Sequence, residues 1–571
     1  MGTLFSALDL GRAGMQVAQV QLDIGGNNIA NVNKPGFSRQ RANLLERVPN
    51  METYGAVGRG PFISGIDRLR DQFLDVAYRQ EVASLGAAET AATYFNRIED
   101  IFNEPGEDGL ADRFNALFDA LQDFANAVDN LPTRVATIAE ADALAGTLNE
   151  IDSRLNLLRS NANDQVRDIV TEINSLGGRI AELNTTIQRF EGSGRTANDL
   201  RDDRDLLIDE LSKLVNISYR EQDNGIVNVL IGGEQFVTGR NLRPVEAVVN
   251  PTLDPNRPDM VEVRFADTGL LLPVRDGELR GLLDARDSAI NGVEDQMDAL
   301  ALAIIENLNR LQASGRGLSN FDDTLTSQYP VSNGATQLNA AGLPFPVTDG
   351  SFDILVFDNN NVLVETITVP VTATGPVINR STLNSISGAI GGSANLNVSV
   401  SDGLLTIDPV ANRSFAFSND TSGFLVASGT GGIFNGTDAG SISVNQQLID
   451  RPDWLTSSDS TNPADTGNNT IALLMAQLRD RPILVSNTQD VNQFYEATLV
   501  SLGVDSRANS QLLDVQQNAV EDFDARRQEV SGVSIDEEVT NLLQVQRAFE
   551  ASARVITTTD RMLETLMGIV G

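Results

Sequence analysis

Residues 531–571 read SGVSIDEEVTNLLQVQRAFEASARVITTTDRMLETLMGIVG. Within them Ile535, Val539, Leu542, Gln546, Phe549, Ala553, Ile556, Asp560, Leu563, Met567 and Val570 succeed one another at alternating steps of four and three. A 3.5-residue repeat of this kind is the seam of a helix that winds around other helices. Ser534 is placed to cap the N-terminus, and Asp536, Glu537 and Glu538 suit the positive end of the helix dipole. So narrow a seam at a chain terminus needs a partner.

The other end of the chain carries a matching pattern in Leu4, Leu8, Gly11, Met15, Ala18, Leu22, Gly25 and Ile29. An antiparallel or staggered pair of first and last helices, with everything else inserted between them, is the economical reading. Gly11, Ala18 and Gly25 let another backbone approach closely. Over about four turns a 3.5 and a 3.6 period are hard to separate, so two ordinary amphipathic helices on separate domains are the bland alternative. The stretch NNIANVNKPGFSRQR (residues 27–41) follows, where Asn favours a helix end and Pro35-Gly36 suits the centre of a type II turn. These residues resemble the N-terminal signature of the flagellar rod, hook and hook-associated axial proteins. EEVTNLLQVQRAFEASARVI (537–556) and DRMLETLMGI (560–569) resemble their C-terminal signature.

At 571 residues the chain is too long for one core, and three to four domains are expected. Its 41% hydrophobic content is that of a globular protein, and no apolar run reaches the roughly 18 residues that span a bilayer. MGTLFSALDLGRAGMQ has neither a basic start nor a continuous apolar stretch, so a Sec-type signal peptide is not expected. Cysteine and histidine are absent, which removes disulfides, Cys/His zinc sites and the commonest general base. A net charge of −36 opposes nucleic acid and anionic membrane as partners.

Taken in order, Ile66 to Phe102 reads as a helix with Ile66, Leu69, Phe73, Val76, Gln80, Ala83, Ala87, Tyr94, Ile98 and Ile101 on one face, closed by Asn103-Glu104-Pro105-Gly106. A second helix carries Leu110, Phe114, Leu117, Leu121, Phe124 and Val128. The longest element runs from about Thr133 to Phe190, with a seam from Leu148 through Leu158, Ile169, Leu183 and Ile187 to Phe190, and Gly177-Gly178 as a kink point. Gly192-Ser193-Gly194 turns the chain into ANDLRDDRDLLIDELSKLVN (197–216). Here Asp and Arg recur at steps of three and four, as on a solvated helix face with ion pairs. Short β-branched runs between Tyr219 and Val274 predict a small sheet. Helix returns from Gly277, with Leu279, Leu283, Ile290, Val293, Met297, Leu300, Ile304 and Leu311 on its seam. From Gly317 to Asn462 the composition turns to Gly, Ser, Thr, Asn and Val. This predicts a mostly-β insertion with a hairpin at Phe352–Val369, strands including Phe424-Leu425-Val426, and a short helix near Ser381–Ile390. Helices resume at Thr470 and Val491.

The fold class is therefore multidomain, mainly α with β. Its expected parts are the terminal coiled-coil helices (1–50 and 531–571), a long-helix bundle domain (51–316, with a small sheet at 217–275, and 466–530), and an inserted mostly-β domain (317–465). No constellation for catalysis is found, and neither a cofactor nor a metal site. Asp202, Asp203, Asp205 and Asp209 are the carboxylates that most invite a catalytic reading, and Arg201 and Arg204 beside them favour salt bridges instead. The element at 197–216 is similar to one in the hook-associated members of the axial family and is lacking in rod and hook proteins. The resemblance thus implies a non-enzymatic structural subunit, passed out by flagellar type III export and residing outside the cell at the hook–filament junction. Its implied partners are other copies of itself in a helical stack, the hook protein on one side, a second junction protein (hook-associated protein 3) on the other, and an export chaperone on the C-terminal helix. Leu4, Leu8, Met15, Leu22 and Ile29, with Asn27, Asn28 and Asn31, are expected at the subunit interface. So are Ile535, Val539, Leu542, Gln546, Phe549, Ile556, Asp560, Leu563 and Met567. On this reading neither terminal seam is satisfied inside one chain. A rod or hook subunit, or a surface adhesin whose β domain binds a ligand, are the rival functions.

Overall fold

A computed structural model describes residues 2–53, 55–102, 109–192, 195–462 and 464–570, apart from the side chains of 2–4, 52, 569 and 570. Leu4, the Asn103–Gly106 terminator, Ser193-Gly194 and the last seam position, Val570, lie outside what is described. Helix α1 (Gly2–Ala30) leads into strands β1 (Gln40–Glu46), β2 (Asn50–Glu52), β3 (Gly55–Val57) and β4 (Pro61–Arg68), with β1 antiparallel to β4 and β2 to β3. Next come α2 (Gln72–Phe102), α3 (Leu110–Asn126), α4 (Leu131–Glu191) and α5 (Asn198–Leu214). Strands β5 (Ile217–Glu221), β6 (Val227–Ile231), β7 (Glu234–Thr238) and β8 (Asn241–Leu242) form one antiparallel sheet, and β9 (Val245–Val249) pairs with β10 (Val261–Phe265). Helices α6 (Glu278–Asp284) and α7 (Asn291–Gln312) flank a π-helical turn at Ala285–Ile290.

The Gly/Ser/Thr-rich stretch holds β11 (Leu325–Thr326), β12 (Gly350–Asp358), β13 (Leu363–Val371), α8 (Leu383–Ile390), β14 (Leu396–Ser401), β15 (Leu404–Pro409) and β16 (Arg413–Ser418). It continues with α9 (Phe424–Ser428), β17 (Phe434–Asn435), β18 (Ser443–Val444) and α10 (Gln446–Asp450). Helices α11 (Thr470–Ala476), α12 (Val491–Ser531) and α13 (Ile535–Val570) complete the chain.

By its contacts the chain divides into two compact units, one of residues 1–94, 160–286 and 507–571, the other of 95–159 and 287–506. In the first, the later turns of α4 bury Val166, Ile173, Leu176, Ile180 and Ile187. α4 is one helix through Gly177-Gly178. A Cβ on Gly177 would lie 2.6 Å from the Phe236 ring, so the glycine is there to admit β7, not to bend the helix. Asn184 secures the same sheet, donating to the carbonyls of Val227 and Gly239 at 2.7 Å each. In the second, α3 buries Leu110, Phe114, Leu117, Leu121 and Phe124, and the hairpin β12–β13 continues through β12 to β16.

Several expectations are corrected. Ile66 and Leu69 do not begin a helix: Ile66 lies in β4 opposite Ala42, and α2 starts at Gln72. On the first turns of α2 the buried side chains are Asp75 and Arg79, whereas Phe73 and Val76 are exposed. On α4, Val170 and Asn184 take the buried positions in place of Ile169 and Leu183, and Phe190 is exposed; on α6 Leu282 replaces Leu283. Phe424-Leu425-Val426 is a helix, not a strand. It is bounded by Gly423 and Gly429 at positive φ, and the Asp420 carboxylate accepts from the backbone N–H groups of Ser422, Gly423 and Leu425.

Candidate functional site: the terminal helix pair and its anchor

The chain leaves α1 through a tight turn. Phe37 N–H donates to the Lys34 carbonyl at 3.2 Å, and Gly36 has φ +75°, the value that makes glycine the natural residue there. A Cβ on Gly36 would sit 3.2 Å from Leu206 Cβ, so the turn is seated on α5. Just before it, the buried Asn28 amide acts as a strand would. It donates to the Gln40 carbonyl and accepts from the Gln40 N–H, each at 3.0 Å. Ser38 then meets α5: its N–H and hydroxyl both donate to the Asp202 carboxylate, at 3.0 and 2.7 Å. Lys34 reaches Asp203 at 3.0 Å, and the Gln40 amide reaches Asp199 at 3.0 Å. Arg39 faces the joint between α12 and α13. Its N–H donates to the Ser531 carbonyl at 2.9 Å, and its guanidinium pairs with Glu538 (2.6 Å) and Glu537 (2.9 Å).

Beneath this clasp lies a closed ring of charge. Asp205 pairs with Arg70 at 3.0 Å, Arg70 with Asp75 at 2.7 Å, and Asp75 with Arg527 at 3.1 Å. Arg527 pairs with Asp209 at 2.6 Å, Asp209 with Arg79 at 2.6 Å, and Arg79 returns to Asp205 at 3.8 Å. Arg68 connects the ring to Asp202, at 2.9 Å from Asp205 and 2.7 Å from Asp202. Tyr219 stacks under Arg79 and Tyr78 under Arg527. Four arginines and four aspartates thus balance in a nearly dry space, where an unpaired member would be costly. Burial pushes the Asp205 carboxyl upward, but Arg70, Arg68, Arg79 and Arg204 outweigh it and hold the group at about 2. For Asp202 burial wins over Arg68 and Ser38, and its pKa is raised. The expected solvated face of α5 is therefore corrected: Asp202, Arg204 and Asp205 are buried, with Asp202 and Asp205 on Arg68 of β4, Asp205 also on Arg79 of α2, and Arg204 on Asn184 of α4, while Asp209 ties α5 to Arg527 of α12.

The clasp carries an antiparallel helix pair. Gly11 of α1 faces Ser552 and Ile556 of α13, Gly14 faces Ser552, and Gly25 faces Leu542 and Glu538. On α13 Glu538, Leu542, Val545, Phe549, Ser552, Ile556, Thr559 and Leu563 turn inward or are half-covered, again at steps of four and three, with Ala553 half-covered beside Ser552. The expected antiparallel pair of first and last helices is found, and each seam covers the other along one side, so the chain itself already supplies part of the cover. Gly25-Gly26 does not interrupt α1, and the two glycines differ in kind. A Cβ on Gly25 would lie 2.7 Å from Leu542 Cδ2, while one on Gly26 meets nothing within 4 Å. Gly25→Ala is expected to cost about 1–3 kcal/mol through overpacking. Gly26→Ala is expected to add about 0.5–1 kcal/mol by removing glycine from a helix interior. Urea unfolding of the full chain should give these opposite signs.

Three family models match: the flagellar hook-associated protein FlgK helical domain over residues 95–324, the flagellar basal body rod FlgEFG protein C-terminal region over 525–569, and the flagella basal body rod protein over 8–37. Flagellar hook-associated protein 1 of Bacillus subtilis (strain 168) is 25% identical over 585 residues, spanning 100% of this chain and 99% of its own. That of Salmonella typhimurium is 26% identical over 583 residues, spanning 99% of this chain and 100% of its own. Over its whole length the chain is similar to flagellar hook-associated protein 1. The flagellar hook junction protein FlgK from Burkholderia pseudomallei shares the fold with a TM-score of 0.50 at 19% identity, over 79% of this chain and 100% of that one.

Among the residues expected at the subunit interface, Leu8, Met15, Leu22 and Ile29 on α1 and Leu542, Phe549, Ile556 and Leu563 on α13 are half-buried. Ile535, Val539, Gln546, Asp560 and Met567 are exposed. The sequence seam therefore merges two adjoining stripes that share every second position, one covered by α1 and one open. Asn28 is 1% exposed and internal to the chain, while Asn31 donates to Asn27 at the exit of α1. Arg39, Arg68, Arg70, Asp75, Arg79 and Arg527 were not anticipated. No sequence pattern marks them, because charged residues at helical spacing read as a solvated face. Among the described residues no helix is long and apolar enough to cross a membrane, and no group of three or more His, Cys, Asp or Glu side chains could hold a metal ion.

Proposed function

We propose that this chain is a structural, non-enzymatic subunit of the bacterial flagellum. It stands outside the cell at the junction of hook and filament and polymerises through its first and last helices. The open stripe of α13 carries this reading: Ile535, Val539, Leu543 and Met567 are 44–75% exposed along a helix whose other side is already covered. An apolar face left uncovered beside a completed helix pair fits packing against the same pair in neighbouring copies, which propagates head to tail. Gln546 and Asp560, on the open stripe, serve as polar inter-subunit positions or face the lumen. The hook protein on one side and hook-associated protein 3 on the other are the proposed neighbours, with an export chaperone on α13 beforehand. The outer division into a helical domain (51–316 with 466–530) and an inserted β domain (317–465) belongs to the same proposal. The full-length correspondence to hook-associated protein 1 relatives favours this over a rod or hook subunit. In a strain lacking the gene, the expected result is retained hooks, no filaments, flagellin shed into the medium and no swarming. Normal filaments in that strain exclude the reading.

A further inference from the structure

The hairpin that follows the clasp projects an apolar tip. Leu44 and Leu45 are exposed, and Val48 and Met51 are 81% and 85% exposed, on a chain whose net charge is −36. The base of the same hairpin borders an open cleft of about 870 Å³, lined by Ile63, Ile66, Phe190, Ala197 and Leu200, with Phe190 itself 56% exposed. The tip cannot fill its own cleft. Ladder pairs Leu45↔Phe62 and Glu46↔Pro61 lead away from the Ile63–Asp67 stretch that borders the cleft, so folding back would break them. Knob and hole thus sit on one chain at opposite ends of one hairpin.

We propose that the β2–β3 tip of one copy, through Val48 and Met51, seats in the Ile63–Phe190–Leu200 cleft of a second copy. The occupant is a second copy because this chain supplies both halves of the fit. Two different surfaces that complement each other make a heterologous contact, which repeats along an assembly instead of closing into a dimer. Charge agrees with this. Arg195 and Asp67 line the cleft, Glu46 and Arg47 flank the tip, and none of the four makes an ion pair among the described residues. Exchanging partners between copies, Glu46 with Arg195 and Arg47 with Asp67, gives the contact its register. The inference rests on the self-assembly reading above and adds to it a second contact, away from the helix seam.

The absence of cysteine makes the test clean. Met51→Cys and Phe190→Cys are placed on two full-length copies of different tagged size and co-expressed in a strain lacking the native gene. Flagella are then isolated and mildly oxidised. The expected result is a mixed disulfide-linked dimer, seen only when both variants are present. Val48→Cys replaces Met51→Cys if the latter fails to assemble. Assembled flagella with no mixed dimer from either tip variant overturn the inference. A Met51→Cys cross-link to a protein of another mass overturns the choice of a second copy. A parallel pair on the helix seam, Val539→Cys with Leu8→Cys on the other copy, separates the readings. If the seam links and the tip does not, self-assembly stands and the hairpin contact falls; if neither links in assembled flagella, the assembly reading itself fails.

Discussion

Asp205→Asn is expected to lower the stability of the full chain by about 3–5 kcal/mol, because it leaves Arg68, Arg70 and Arg79 facing one another without their shared counter-charge in a buried space. Asp202→Asn is expected to cost much less. Its carboxyl is already disfavoured as an anion by burial, and an amide oxygen can still accept from Ser38. Urea unfolding of both variants at neutral pH reads the difference directly, and equal losses would remove the ring from the account. The pH dependence follows from the same carboxyl. Asp205 is held at about 2, below the ordinary carboxylate value, so its contribution is present above about pH 4 and is lost as pH falls towards 2. The Asp205→Asn variant should accordingly be flatter than the parent between pH 4 and 2.

The second large effect is on assembly rather than folding. Val539→Asp combined with Leu543→Asp places two carboxylates on the open stripe of α13, where both side chains are about half exposed. Substitutions at such positions change monomer stability by only about 0.5 kcal/mol. Filaments are nevertheless expected to be lost, with hooks retained, because each charge would have to be desolvated unpaired against the neighbouring helix pair. Electron microscopy of cells, alongside melting of the purified variant, separates the two quantities. A stable variant that still builds filaments would show that the open stripe is not a contact.

Where hydrophobic rhythm and burial coincide, the chain is transparent. The 61-residue α4 and α3 announce themselves because most of their apolar residues face inward, and both terminal helices because their apolar residues recur at helical spacing. The first turns of α2 mislead for the opposite reason: their inward face is Asp75 and Arg79, so the apolar pattern points to the exposed Phe73 and Val76. β1 is equally opaque, since only Gln40 and Ala42 are buried along it and no alternation of apolar residues exists to read. The ring is the least legible feature of all. Charged residues on a helix look the same whether they face water or one another, and the partners of Asp209 come from α2 and from a residue 318 positions further on. The two stripes of α13 could not be told apart because they share Leu542, Phe549, Ile556 and Leu563.

That 318-residue separation also sets a clock. At roughly 5–20 residues per second, the ribosome takes on the order of 15–60 s to travel from Asp209 to Arg527. Throughout that interval Asp75 and Asp209 lack the cation that closes the ring, and Arg39 lacks Glu537 and Glu538. A nascent chain can therefore build local helices early, yet it cannot lock the compartment that joins its two ends until its last tenth has been made. The ring is therefore a product of the finished chain, closed only when its two ends have both been made.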